Sequence, residues 1–321
     1  MKNISTKSQL GFSIVELVVT LLVGMVVSFG VANMLISSNR AASLNDTLME
    51  PQDNGRFLLS LMAREIRHAG QSGVARDKNN QLYIAETEAN LSGCVSDEIT
   101  CHENHNDGGD NSGFSTGDRL TLITRPSKTD PTDCAGNGSG LVEITENPNT
   151  GVDFLEDQTY YEEILNSYWV EQDAVTGVYT FVCKSYRKDP GAVNGWLEEE
   201  ITPTPLTYNV EAMQVLYGEN LRIPFDADGN PIDPSSPIAD LARSERVVDR
   251  YVTADQVTDW RNIYAIKIAF LVRSENETLE NKVRKYTLLD SKEYSFEDGY
   301  VRQIFSSTFA FANYKTSTFL L

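Results

Sequence analysis

The stretch "QLGFSIVELVVTLLVGMVVSFGVANMLI", Gln9 to Ile36, decides how the rest of the chain is read. From Phe12 to Ile36 it is apolar or small-polar, with Glu16 as its only charged residue. At ~1.5 Å per residue, a helix over 12–36 is longer than the ~30 Å hydrocarbon core of a bilayer. Lys2 and Lys7 precede it, with no acid between them; Arg40, Asp46, Glu50 and Asp53 follow it. Basic flanks stay in the cytoplasm, so the long C-terminal part faces outward. A carboxylate at membrane depth costs ~2.5–3.5 kcal/mol on insertion scales. Glu16 therefore needs a reason. A secretory signal cut after the small-residue "GVA" (Gly30–Ala32) fits those residues but leaves Glu16 unexplained, and so does a plain anchor.

Composition narrows the function classes. The 321 residues carry 27 basic and 46 acidic side chains, a net charge of −19, which opposes diffuse binding to nucleic acid. No Lys/Arg cluster, phosphate-cradling Gly-rich motif or G-x-S-x-G elbow occurs, and with three histidines a His-based catalytic centre has little material. Neither an enzyme nor a cofactor is indicated.

"NGRFLLSLMAREIRHAG", Asn54 to Gly70, puts Phe57, Leu58, Leu61, Met62 and Ile66 on one helical face. Arg56, Arg64, Glu65 and Arg67 fall largely elsewhere, and Gly70 is a natural stop. Pro51 predicts a kink or short break upstream, because proline removes a backbone hydrogen bond.

Beyond Gly73 the pattern becomes β-like. "DRLTLITR" (118–125), "GVYTFVCKSYRK" (177–188), "VEAMQVLYG" (210–218), "IYAIKIAFLVRS" (263–274) and "YVRQIFSSTFAFANY" (300–314) read as strands between Gly, Pro, Asn and Asp clusters. Residues 102–118 and 226–246 read as polar, loop-like insertions.

Four cysteines, Cys94, Cys101, Cys134 and Cys183, suit disulfides in an outward-facing domain. Three connectivities are open. One closes a short loop with Cys94–Cys101 and ties an insertion to a strand with Cys134–Cys183. The alternative, zinc with His102 and His105, lacks the CxxC pairs of structural sites. His102 and His105 are also three apart, where a zinc-protease helix needs four, and Glu103 between them adds nothing to that spacing. "DADGNPID" offers Asp226, Asp228, Asn230 and Asp233 as oxygen donors for calcium. Pro231 and the missing distant Glu make a surface turn the better reading.

"GFSIVEL", Gly11 to Leu17, resembles the class III signal of type IV prepilins and type II secretion pseudopilins. The resemblance implies that prepilin peptidase cuts between Gly11 and Phe12 and methylates the new Phe12 amine. It also gives Glu16 a role in assembly: its carboxylate pairs with the Phe12 amine of a neighbouring subunit, joining two costly charges and fixing axial register. "NGR…L…EIR.AG", "GDRLTL", "VEAMQVLYG", "DWRNIYAIKIAFLVRS" and "RQIFSSTFAFANY" are similar, in that order, to the PilW family of minor pilins, with Glu65 where Asp is usual. The pseudopilin GspJ is similar too. The implied fold is α+β and pilin-like: a long N-terminal helix packed on antiparallel β-sheet with loop insertions. The implied layout is a leader over 1–11, a transmembrane helix over 12–36, an amphipathic helix over 37–73 and a periplasmic β-rich domain over 74–321. The implied role is a minor pilin that primes the type IV pilus near its tip, with other minor pilins, the major pilin and a tip adhesin as partners. The alternatives are a type II secretion minor pseudopilin and a tip subunit presenting an adhesin.

Overall fold

The computed structural model describes residues 13–69, 73–76, 82–85, 116–126, 132–138, 143–146, 151–153, 160–173, 176–188, 196–197, 202–221, 247–258, 263–289 and 293–311. Gly11, Phe12, Cys94, Cys101, His102, His105 and the Asp226–Asp233 segment lie outside them. The chain divides into two units, one ending at Met49 and one beginning at Glu50.

One helix, α1, runs Ile14–His68. It is the only described helix long and apolar enough to cross a membrane. Its assignment passes through Pro51, so the break expected there is absent. Tertiary bonds explain why the proline is tolerated. At the adjacent position Glu50 accepts hydrogen bonds from Asn209 Nδ2 (3.2 Å) and the Glu275 backbone N–H (3.0 Å). Pro51 itself is buried. Packing here overrides local propensity.

The strands are β1 (Gly73–Arg76), β2 (Leu82–Ala85), β3 (Leu120–Thr124), β4 (Glu143–Ile144), β5 (Tyr160–Tyr161), β6 (Ile164–Gln172) and β7 (Tyr179–Lys188). They continue with β8 (Trp196–Leu197), β9 (Thr204–Tyr208), β10 (Val210–Glu219), β11 (Arg250–Val252), β12 (Ile263–Tyr286) and β13 (Tyr294–Ala310). All the named strand pairings are antiparallel. One sheet has the order β11-β10-β12-β13; another has β3-β6-β7-β8, with β9 also on β7. The fold is α+β, as the sequence predicts.

The second unit has one main core. Leu58, Met62 and Ile66 of α1 meet Leu120, Leu122, Tyr168, Val170, Phe181 and Cys183 from the five-stranded sheet. Met213, Val215, Tyr217, Ile266, Ile268, Phe270 and Val272 come from the four-stranded one. The apolar stripe read from Asn54–Gly70 is therefore the face that packs, except for Phe57, which is 46% exposed. A second cluster lies on the other face of the four-stranded sheet. There Ala212, Ala269 and Leu271 pack with Leu288, joined by Tyr286, Tyr294 and Phe296 of the β12–β13 hairpin.

β6 is a core strand that the hydropathy pattern does not reveal. Asn166 and Ser167 interrupt it, yet both are buried and bonded sideways. Asn166 Nδ2 donates to Thr124 Oγ1 (3.2 Å), Ser185 Oγ donates to Asn166 Oδ1 (2.6 Å), and Ser167 shares a 2.9 Å hydroxyl pair with Thr121. β12 also runs twelve residues past the Ser274 end read from sequence.

Candidate assembly surfaces

The first unit is a helix that presents apolar side chains to its surroundings: Ile14, Val26 and Met34 are 83%, 72% and 75% exposed. Such a surface is stable only in lipid or against other helices. Glu16 lies on its first turn, and the Thr20 hydroxyl on the next turn is satisfied by the Leu17 carbonyl (2.9 Å). The Glu16 side chain is exposed on the helix surface.

In the second unit, three contacts hold the lower part of α1 to the sheets. Glu50 binds Asn209 and Glu275, as described above. Gly55 lies under the Phe305 ring of β13; a Cβ at that position would overlap the ring. That close approach is the reason for Gly in "NGR". Near the helix end, Glu65 Oε2 accepts from the Tyr168 hydroxyl at 2.9 Å, and Arg64 holds Oε1 at 3.0 Å. Tyr168 is fully buried. Burial, with the Glu65 carboxylate beside it, pushes its hydroxyl well above the ordinary tyrosine range, so it remains a donor at any physiological pH.

This explains what Glu65 does in place of a shorter acid. Glu65→Asp retracts the carboxylate by one methylene and leaves a buried hydroxyl unpaired, at ~1–3 kcal/mol. Glu65→Gln keeps an acceptor in place and should cost less. The measurement is the urea midpoint of the chain without residues 1–36. In a double variant with Tyr168→Phe, the Asp effect should largely vanish. An undiminished effect would mean that Glu65 acts through some other contact.

Cys134 and Cys183 are disulfide-bonded, with Cα atoms 6.3 Å apart, tying the 132–138 turn to β7. This is the Cys134–Cys183 pair of one expected connectivity; Cys94 and Cys101 lie outside the described residues. Asp133 Oδ1 shapes the turn by accepting from the backbone N–H of Ala135 (2.9 Å) and Asn137 (2.8 Å).

The edge of the loop-like stretch 102–118 is not a loop at its end. Gly117 bridges to Met213, Asp118 N–H donates to the Met213 carbonyl (2.8 Å) and Met213 N–H to the Thr116 carbonyl (3.0 Å). Asp118 Oδ2 accepts from Val215 N–H (2.8 Å). The "GDRLTL" motif is thus a clip that brings β3 to β10.

A buried ionic cluster joins β10, β12 and β13. Arg302, its side chain 2% exposed, donates to Glu211 through Nε (2.6 Å) and Nη2 (2.9 Å), and to Asp298 through Nη1 (2.6 Å) and Nη2 (2.7 Å). Its guanidinium lies 3.7 Å from the centre of the Phe296 ring. Arg273 stands 3.8 Å from Glu211 and lies over Tyr300. Burial raises the Glu211 carboxyl above the ordinary range, against the pull of Arg302. For Asp298, burial works upward too, but the Arg302 bonds outweigh it and the pKa falls. Sequence reading saw Arg302 only as part of a strand.

Among the described residues no cluster of His, Cys, Asp or Glu is arranged to hold a metal. Neither the curated proteins nor the solved structures give a match to this chain. Residues 167–313, from β6 to just past β13, match the family model of Type IV Pilus-assembly protein W, PilW. That stretch, which contains β7, β10, the Arg302 cluster and the whole β12–β13 hairpin, is similar to the PilW family of type IV pilus-assembly proteins.

Proposed function

We propose that the chain is a minor pilin that helps prime assembly of the type IV pilus and enters the filament at or near its tip. The observation that carries this reading is the lone Glu16 carboxylate on an otherwise apolar helix surface, four residues after Phe12. It joins a C-terminal half of the pilus-assembly type. In this proposal prepilin peptidase removes Met1–Gly11 and methylates Phe12. The helix holds the subunit in the inner membrane with its β-rich unit outside, and Glu16 pairs with the Phe12 amine of a neighbour. Its partners are other minor pilins, the major pilin and an adhesin carried at the tip. The matched family is one of assembly proteins, and the subunit acts by being positioned, without a catalytic step.

Glu16→Ala tests the reading in a deletion strain. Removing a membrane carboxylate should leave insertion unharmed. Cleavage depends on the upstream junction and should still yield a chain starting at Phe12. The variant should accumulate as a processed membrane protein, with recovery in filaments down roughly tenfold, the loss of ~1.4 kcal/mol of pairing. Wild-type piliation and cross-linking to other pilins would overturn the pairing. An N-terminus at Asn33 would overturn the leader and support a secretory signal. Unchanged piliation on deletion, with lost secretion of folded enzymes, would assign the chain to type II secretion.

A further inference from the structure

We propose that the Cys134–Cys183 disulfide is a redox lock on the end of α1: closed, it seats the 132–138 turn beside the buried Glu65–Tyr168 pair, and opened, it frees that end of the helix from the five-stranded sheet. The proposal goes beyond the pilus reading and does not depend on it.

Strand register puts the bond at the helix anchor. Tyr168 of β6 and Cys183 of β7 are direct cross-strand partners. Opposite residues of an antiparallel pair point to the same face, with Cβ atoms ~4.5–5.5 Å apart. That face is the core face, where both side chains are fully buried in the cluster that holds Met62, Ile66 and Ala69 of α1. Whatever is bonded to Cys183 therefore lies near Tyr168, whose hydroxyl donates to Glu65 at 2.9 Å. The bonded segment is the 132–138 turn. Cys134 and Ala135 pack against the same core, and Cys134 Sγ lies 3.2 Å from Ser185 Oγ, two residues along β7. The charges agree with this placement. Burial first, then the Glu65 carboxylate, raise the pKa of the Tyr168 hydroxyl, and the Asp133 charge adds to them from the turn.

The turn's own hydrogen bonds close it on itself. Asp133 Oδ1 accepts from the Ala135 and Asn137 N–H groups, and Gly136 N–H donates to the Asp133 carbonyl (3.0 Å). These bonds shape the turn without fastening it to β6, β7 or α1. Gly136 and Asn137 are exposed, and Cys134 and Ala135 are only half-buried, so little apolar area holds the turn down. The covalent bond, between residues 49 apart in sequence, supplies the hold. When it opens, water reaches the Tyr168 hydroxyl and the Glu65 carboxylate, and a hydrogen bond that water competes for contributes little. The other two contacts of α1, at Glu50 and Gly55, are made to Asn209, Glu275 and Phe305 and not to β6 or β7, so they persist.

Closing is a two-electron oxidation. The two thiols give up two protons and two electrons by exchange with the disulfide of an oxidised dithiol partner, which leaves as its dithiol. Opening is the reverse exchange. The half-buried Cys134 sulfur, rather than the fully buried Cys183, is the one that an attacking thiolate reaches.

The test is hydrogen exchange of the full chain in detergent micelles, before and after reduction with dithiothreitol. Amides of residues 60–68 should exchange at least roughly tenfold faster after reduction, while those of 264–272 in β12 stay unchanged. The unreduced variant Cys134→Ala/Cys183→Ala should show the same pattern, which separates this bond from Cys94 and Cys101. Unchanged exchange at 60–68 would overturn the lock. So would acceleration in the reduced wild type without acceleration in the variant. Equal acceleration of both segments, up to complete unfolding, would make the bond a general constraint on the unfolded chain and would overturn the lock as well. As a second measurement, Glu65→Asp should shift the urea midpoint of the variant by less than roughly half its shift in the disulfide-bonded chain. Equal shifts would show that the bond does not seat the pair.

Discussion

Gly117→Ala is expected to lower the stability of the β-rich unit by more than ~3 kcal/mol and to leave little folded protein in cells. Two costs add. Gly117 has φ +91°, outside the range that an L side chain adopts readily, and such strain costs ~1–3 kcal/mol. A Cβ would also overlap the Met213 backbone carbonyl, which cannot swing aside as a side chain can. Relieving that overlap pulls Thr116–Asp118 from β10, breaking two backbone bonds and the Asp118–Val215 bond, each worth ~1–3 kcal/mol when left unmade in a buried place. Gly136 is the control. Its φ is +80°, but nothing lies within 4 Å of a Cβ there. Gly136→Ala should show the strain alone, ~1–2 kcal/mol. The comparison is of urea midpoints for the two variants. Equal losses would mean that close approach to Met213 contributes nothing and that backbone strain carries the whole effect.

That clip shows why part of the fold was legible in the sequence and part was not. Strands β3, β7, β10, β12 and β13 announce themselves because buried strands need runs of β-branched and aromatic residues. β6 hides because Asn166 and Ser167 look like loop residues until Thr124, Ser185 and Thr121 are beside them. The far half of β12, "ENETLENKVRKY", is polar on both faces and reads as loop; only its pairing with β13 makes it a strand. The helix stripe of Leu58, Met62 and Ile66 was readable from its period, since the core needs one continuous face. Pro51 does not break the helix assignment, and Glu50 beside it is pinned by residues far along the chain, which no local rule sees. The even cysteine count could be read by its chemistry, whereas which cysteines pair could not. Pairings over 91 residues (Glu211–Arg302) or 103 (Glu65–Tyr168) leave no mark on local pattern.

Arg302→Met is the second substitution with a large expected effect, and its pH dependence identifies the cause. Removing one partner of a buried ion pair typically costs ~3–5 kcal/mol, because a charge is left without compensation. Here two carboxylates are left, and they fare differently. Asp298 is 24% exposed and can rehydrate, whereas Glu211 is 2% exposed and keeps only Arg273, at 3.8 Å. The penalty therefore sits mainly on Glu211, and the double variant Arg302→Met/Glu211→Gln should recover much of the loss. The signs with pH differ between the two acids. In the wild type the Asp298 pKa is lowered in the fold, so its contribution is present above the ordinary aspartate range and is lost as pH falls through the lowered value. Glu211 is raised in the fold even with Arg302 present, so its ionisation costs stability as pH rises above the ordinary glutamate range. Without Arg302, burial is opposed by less and the Glu211 pKa climbs further. Acid then protonates Glu211 in the folded variant and relieves the penalty. The destabilisation of Arg302→Met relative to wild type should accordingly be largest near pH 7 and shrink toward pH 5, measured as urea midpoints at each pH. A difference that stays constant or grows on acidification would show that the loss comes from the Phe296 packing of the guanidinium and not from the stranded Glu211 charge.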